Sequence, residues 1–305
     1  MRLLRVYPAA WRARYGDELV ALLEDLDGAA RMSWRVRLDV VRAGLGERAR
    51  VLVLGGGAPR ERVRRGSVLV LYAWMLFVLG GFGVQKASEH WQAATPSGER
   101  TLPALGFDVL VVVAALGSVL VLLGVAVALP ALAGLVRRGG WRTIRLPILV
   151  AVALSVSTVV ATVGLAAWAH SLTAAARNGH DASYAGVFVG WVVLVAACLF
   201  AWAAAASATA RRISFSLRQL RLEAGLAAAT SAAMVVMTLA AAVWWGAVAS
   251  AAPWFFEGRP AGAAASPLVA NVIVPVAVMV CATALALAGA TRALRALPAL
   301  ADGSG

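Results

Sequence analysis

The sequence predicts an all-α integral membrane protein, a bundle of six transmembrane helices preceded by an N-terminal cytoplasmic helical hairpin. Three observations predict it. Of 305 residues, 61% are hydrophobic and only 14% charged, too few charges to solvate the surface of a water-soluble domain. Apolar runs recur that are long enough to cross a hydrocarbon core of ~30 Å at about 1.5 Å per helical residue. Basic residues are concentrated in alternate connectors, as they are when one side of a membrane collects them.

Apolar length places the spans at about 67–84, 107–129, 147–169, 184–208, 225–249 and 267–290, an even number that leaves both termini on one side. They form a transmembrane domain over 67–290, preceded by a hairpin module (1–58) and a basic linker (59–66), and followed by a short tail (291–305). Of the 28 Lys and Arg residues, all but Lys86, Arg100, Arg177 and Arg259 fall on the side of the termini. The positive-inside rule therefore assigns that side to the cytoplasm. The net charge of +13 is then a topology signal, and with no aromatic-basic binding module no nucleic-acid partner is expected. The only early apolar run, Val51 to Leu54, is too short for a signal peptide.

Trp91, Trp168, Tyr184, Trp244, Trp245 and Trp254 fall near the outer span edges, where amphipathic rings settle at headgroup depth. Outer connectors hold turn residues, Thr95-Pro96-Ser97-Gly98 and Asn178-Gly179. The two inner loops carry Arg137, Arg138, Arg142 and Arg145, and Arg211, Arg212, Arg218 and Arg221, which suit anionic lipid headgroups. Within the second loop, Ile213, Leu217 and Leu220 have the spacing of a short interfacial helix.

Residues 1–58 differ in kind, because apolar residues recur among charges with helical spacing. Leu4, Tyr7, Trp11, Tyr15, Leu19, Leu22 and Leu26 form one stripe, with Pro8 suited to the first turn and Gly28 to the stop. Trp34, Leu38, Val41, Leu45, Ala49 and Leu52 form a second, with Ser33 placed to cap its start. Antiparallel pairing sets the acids Asp17, Glu18, Glu24, Asp25 and Asp27 near Arg31, Arg35, Arg37 and Arg42. Fewer than 60 residues make a marginal unit, and Gly55-Gly56-Gly57-Ala58-Pro59 tethers it flexibly.

The segment Tyr7-Pro8-Ala9-Ala10-Trp11-Arg12-Ala13-Arg14-Tyr15-Gly16-Asp17-Glu18 resembles the YP-x-x-W/F-R-x-RYG-x-E opening of bacterial membrane proteins with a cytoplasmic helical prefix. It is similar to the prefix domain of macrolide-export-type permeases and to small helical signalling domains encoded beside PadR-type regulators, over about residues 3–50. The resemblance implies a cytoplasmic prefix on a membrane domain, with Tyr7, Trp11, Arg12, Arg14, Tyr15, Gly16 and Glu18 as partner-binding positions. Six spans differ from the four spans and large extracellular domain of those permeases. The Arg-rich, nearly Lys-free composition resembles that of a high-GC bacterium such as an actinobacterium, which implies the plasma membrane. The bland alternative is that the aromatics are hairpin core and Arg14–Glu18 an ordinary i, i+4 pair. Gly16 costs about 1 kcal/mol inside a helix, which suggests a close approach or bend there.

Chemistry is sparse. No ionisable residue is expected at mid-depth, and Asp108 suits a solvated end of the second span. Asn271 and Pro275 suit either a bent polar site or helix packing. His90, His170 and His180 fall on the outer side near Glu89, Asp181 and Glu257, but match no ligand spacing. Cys198 and Cys281 suit small packed hydrophobes. No metal, cofactor or catalytic constellation is expected. The expectation is a non-enzymatic regulatory or signalling protein whose hairpin binds a cytoplasmic protein. The rival is a transporter or export subunit working with a separate ATPase; a lipid-modifying enzyme using His170 or His180 is a third, weaker fit.

Overall fold

A computed structural model describes residues 6–27, 34, 36, 38–44, 47, 58–88, 91–173, 182–256 and 269–302. No strand occurs among them. The chain divides into two units, Met1–Arg62 and Val63–Gly305.

In the first unit, α1 runs over Ala9–Asp27 and stops one residue before Gly28, the expected terminator. The described residues between 34 and 47 are helical as well. Tyr7 and Val40 form a small core with Trp11, Leu19 and Val36 against it. Gly44 permits this packing, because a Cβ there would stand 3.1 Å from the Tyr7 ring. The inward face of the second segment is thus Val36, Val40 and Gly44, not the expected Trp34, Leu38 and Val41. Trp34 and Leu38 are 69% and 58% exposed, and Leu22 of the first stripe 60%. The stripe chosen by side-chain size loses to one whose small residue lets an aromatic ring approach. The expected core positions Leu4, Leu45, Ala49 and Leu52, the cap Ser33, most of the glycine linker and the acid–base pairing through Arg31, Arg35 and Arg37 lie outside the described residues.

The second unit is built from long helices: α2 (Pro59–Ala87, beginning just before the unit), α3 (Thr101–Leu135), α4 (Trp141–Ser171), α5 (Ala182–Ala210), α6 (Leu217–Ala251) and α7 (Val269–Ala296). Five helical stretches are long and apolar enough to cross a membrane, one of them being the whole of Thr101–Ser171, 71 residues. That stretch holds α3 and α4, which meet at Gly139; its φ of +79° is a left-handed conformation that a side chain rarely adopts. Where the sequence predicts a connector over 130–146, helix continues almost to the break, so α3 and α4 are longer than expected.

The helices pack antiparallel, chiefly α3 with α6, α4 with α5 and α6 with α7. Ser155 and Thr162 of α4 accept hydrogen bonds from Trp202 and Trp191 of α5, at 2.9 and 2.8 Å, a register in which one helix rises as the other descends. Gln219 Nε2 of α6 donates to the Val127 carbonyl of α3 at 3.1 Å, while Gly106, near the start of α3, abuts Trp244 and Ala240 late in α6. On α7, Ala293 and Ala296 join Leu220 and Ala224 of α6 and Val63 of α2 in one buried cluster. These registers gather the start of α2, the α3–α4 break, the α5–α6 loop and the end of α7 at one end of the bundle. Arg137, Arg138, Arg142, Arg145, Arg211, Arg212, Arg218 and Arg221 are all at that end and all exposed.

The core lies between α2, α6 and α7. Trp74 and Phe77 of α2, Met234, Met237 and Trp244 of α6, and Met279 of α7 are nearly inaccessible. Of the most apolar window in α6, 44% is buried, against 6% in Thr101–Ser171 and 11% in α5, so α6 is the central helix and the others leave broad apolar faces outward. Helices α2 and α7 touch through backbone: a Cβ on Gly66 would stand 2.5 Å from the Gly289 carbonyl oxygen, and one on Gly289 2.7 Å from that of Gly66. Pro275 of α7 fills the space beside Gly80 and Gly83, which resolves its role as helix packing. The side chain of Asn271 lies outside the described set.

Two expectations are corrected. Trp91 and Trp244 are 4% and 1% exposed, so they are core residues and not rings at a lipid boundary; Trp168 and Tyr184 instead meet edge to face, their centroids 5.5 Å apart. The interfacial helix over 211–221 is absent, because Ser216 and Gln219 close a capping box that starts α6 at Leu217 and leaves Ile213 before the helix.

Candidate functional site

In the first unit the recognised motif forms a ladder of rings at i, i+4 spacing, from Tyr7 just before α1 to Trp11 and Tyr15 on it. Tyr7 stacks on Trp11 at 4.1 Å between centroids and 25° between planes, and Trp11 meets Tyr15 at 5.4 Å and 48°. Exposure grows along the ladder: Tyr7 is 6% exposed and Tyr15 39%. Burial, then the Glu47 carboxylate, push the Tyr7 phenol above its ordinary range. Arg14 places its guanidinium 5.4 Å from the centre of the Tyr15 ring, a cation–π contact. The Arg14–Glu18 pair expected from the spacing is not formed among the described residues. Arg12, Arg14 and Glu18 are exposed. Gly16 is buried, yet the nearest side-chain atom to a Cβ there is Arg12 Cβ at 3.9 Å, an ordinary contact. No close neighbour among the described residues demands glycine at that position.

On the second unit, His170 is exposed near the end of α4, while His90 and His180, with Glu89, Asp181 and Glu257, lie outside the described residues. Among the described residues no group of three or more His, Cys, Asp or Glu could hold a metal ion. Asp108 is exposed early in α3. Cys198 is a free thiol 3.4 Å from the Ser155 hydroxyl, and Cys281 is free and exposed.

A feature the sequence reading missed lies between α2, α3, α5 and α6. A cavity of about 260 Å³ opens there, with apolar walls that include Leu71, Leu120, Trp202 and Phe215. Glu223 is among the residues lining it. The sequence places Glu223 in a loop before a span starting at 225, but α6 starts at Leu217 and carries Glu223 into its second turn, half-buried against Gly124 of α3. The signal was present as Ser216-x-x-Gln219, a capping pattern that fixes the helix start.

The fold and these sites define an all-helical protein with helices suited to a membrane. Comparison with family models, with curated proteins and with solved structures finds no match.

Proposed function

We propose that the chain is a non-enzymatic regulatory protein of a bacterial plasma membrane, in which six spans anchor a cytoplasmic hairpin that binds a cytoplasmic regulatory protein. The observation that carries this reading is the exposed apolar surface of the first unit, where Tyr15, Leu22, Trp34 and Leu38 are 39%, 60%, 69% and 58% exposed. Large rings and leucines left outside so small a core are the composition of a protein-binding surface. Arg12, Arg14 and Glu18 lie exposed on the same helix as Tyr15.

The test is a pull-down from detergent-solubilised native membranes with the full protein and a variant lacking residues 1–58, the bound proteins being identified by mass spectrometry. Recovery of a cytoplasmic regulator by the full protein alone is expected. An ATPase bound by both proteins would instead favour the second reading, an export-system membrane subunit, which the cavity beside Glu223 supports.

Six spans with cytoplasmic termini are supported by the break at Gly139 and by the exposed arginines gathered at one end, where they suit anionic headgroups. In a Cys198→Ser/Cys281→Ser background, Gly98→Cys and His170→Cys are expected to react with an impermeant maleimide on intact cells. Arg138→Cys is expected to react only after permeabilisation. Labelling of all three from outside would remove both the sidedness and the sixth span.

A further inference from the structure

The cavity beside Glu223 combines an apolar interior with one acid. Glu223 has no hydrogen-bond or ion-pair partner among the described residues, and its Oε2 lies 3.9 Å from where a Cβ on Gly124 of α3 would stand. A carboxylate held in such surroundings costs several kcal/mol unless a counter-charge or proton reaches it. The Ser67 hydroxyl of α2, also in the lining, is buried without a hydrogen-bond partner. Glu223 is therefore an acid without a hydrogen-bond or ion-pair partner among the described residues on the wall of an apolar cavity, and a few polar groups in an apolar lining are the composition of a ligand site.

The walls indicate the ligand. Trp202 and Phe215 present aromatic surface, and Trp202 is fixed by its hydrogen bond to Ser155. Ring faces attract cations, as a carboxylate does. Arg64, the one basic residue in the lining, has an interaction of its own. The volume, near 260 Å³, falls below the roughly 300 Å³ at which drug-sized pockets begin, and suits one aromatic ring with a short chain.

We propose that this cavity binds a small lipophilic organic cation, its ammonium group held by Glu223, its apolar body against the walls that include Trp202 and Phe215. The site is independent of the hairpin: it belongs wholly to the second unit, and a regulator sensing such a compound and an exporter moving it would share it.

The probes are 3-phenylpropylammonium, the neutral 3-phenylpropanol and the anionic 3-phenylpropanoate, which share one apolar body and differ in charge. Binding is measured by equilibrium dialysis against the full chain in nanodiscs, with empty nanodiscs subtracted. The ammonium is expected to bind saturably, at least about tenfold more tightly than the alcohol, a difference of roughly 1.4 kcal/mol, and the carboxylate not at all. Glu223→Gln, which keeps shape and removes charge, is expected to abolish that preference, so that the ammonium binds no more tightly than the alcohol. Gly124→Leu, which pushes a side chain toward the Glu223 carboxylate, is expected to weaken both, with an unchanged size-exclusion profile. Equal binding of ammonium and alcohol, both indifferent to Glu223→Gln, would make the cavity a pocket for lipid tails and overturn the proposal. So would tighter binding of the carboxylate, or no saturable binding of the ammonium.

Discussion

Leucine at Gly66 or Gly289 is expected to destroy the membrane bundle, so that the protein leaves detergent extracts as aggregate on size-exclusion chromatography. At this crossing the two backbones are the contact surface: each glycine's missing Cβ would lie 2.5 or 2.7 Å from the partner's carbonyl oxygen. In lipid, helices gain nothing from burying apolar surface against one another, and close backbone approach supplies the packing that holds them. A carbonyl fixed in its own helix cannot move aside as a flexible side chain can. Even alanine must push α2 and α7 apart, an overpacking cost of about 1–3 kcal/mol, which corresponds to a fall of roughly 2–12 °C in the tryptophan-monitored unfolding temperature. Gly246→Leu is the control, because nothing lies within 4 Å of a Cβ there. Equal damage from all three leucines would show that the loss arises from glycine replacement in general and not from this crossing.

The crossing illustrates what the sequence hides. Apolar length identified the helices, because crossing a bilayer sets a minimum run of apolar residues that any reader can measure. It did not identify which helices touch. Gly66, Gly80, Gly83 and Gly289 stand among 29 glycines, and only the three-dimensional register shows that they face Pro275, Met279 and one another. For the same reason Trp91 and Trp244 looked like boundary rings. An aromatic near a span end has the same sequence signature whether it faces lipid or the heart of the bundle, and here the neighbours decide.

The start of α6 is written in its capping residues and not in its apolar run. Apolar runs end where charge begins, so apolar length alone starts the fifth span at 225 and puts Glu223 outside it. The hydrogen bonds between Ser216 and Gln219, 2.9 and 3.3 Å, begin the helix six residues ahead of that acid. In the N-terminal unit the error was one of face. Two apolar stripes run along the second segment, Trp34–Leu38–Val41 and Val36–Val40–Gly44, and hydrophobic bulk favoured the first. Tyr7 selects the second, since only a glycine admits its ring so closely, and the bulkier pair is left exposed.

That outcome gives the recognised motif a graded physical role and a sharp second prediction. Along the ladder Tyr7, Trp11, Tyr15, structural duty should decline and contact duty should rise. Tyr7→Ala removes the ring that packs on Val40 and Gly44, and should cost about 3–5 kcal/mol in a unit too small to spare it, losing α1 and partner capture together. Tyr15→Ala removes a ring that is 39% exposed and is expected to leave membrane insertion and far-UV circular dichroism unchanged while weakening partner capture by about 2 kcal/mol or more, at least thirtyfold. Trp11→Ala, in contact with both rings, should likewise abolish capture with insertion intact, because the spans insert by their own hydrophobicity. Tyr15→Phe should restore capture if the ring face under Arg14 is what a partner meets, whereas failure of Phe would assign the contact to the phenol hydroxyl. If Tyr15→Ala captures the partner as well as the wild type does, the ladder is packing alone and the binding surface lies elsewhere; if Trp11→Ala fails to reach the membrane, the two units are not separable.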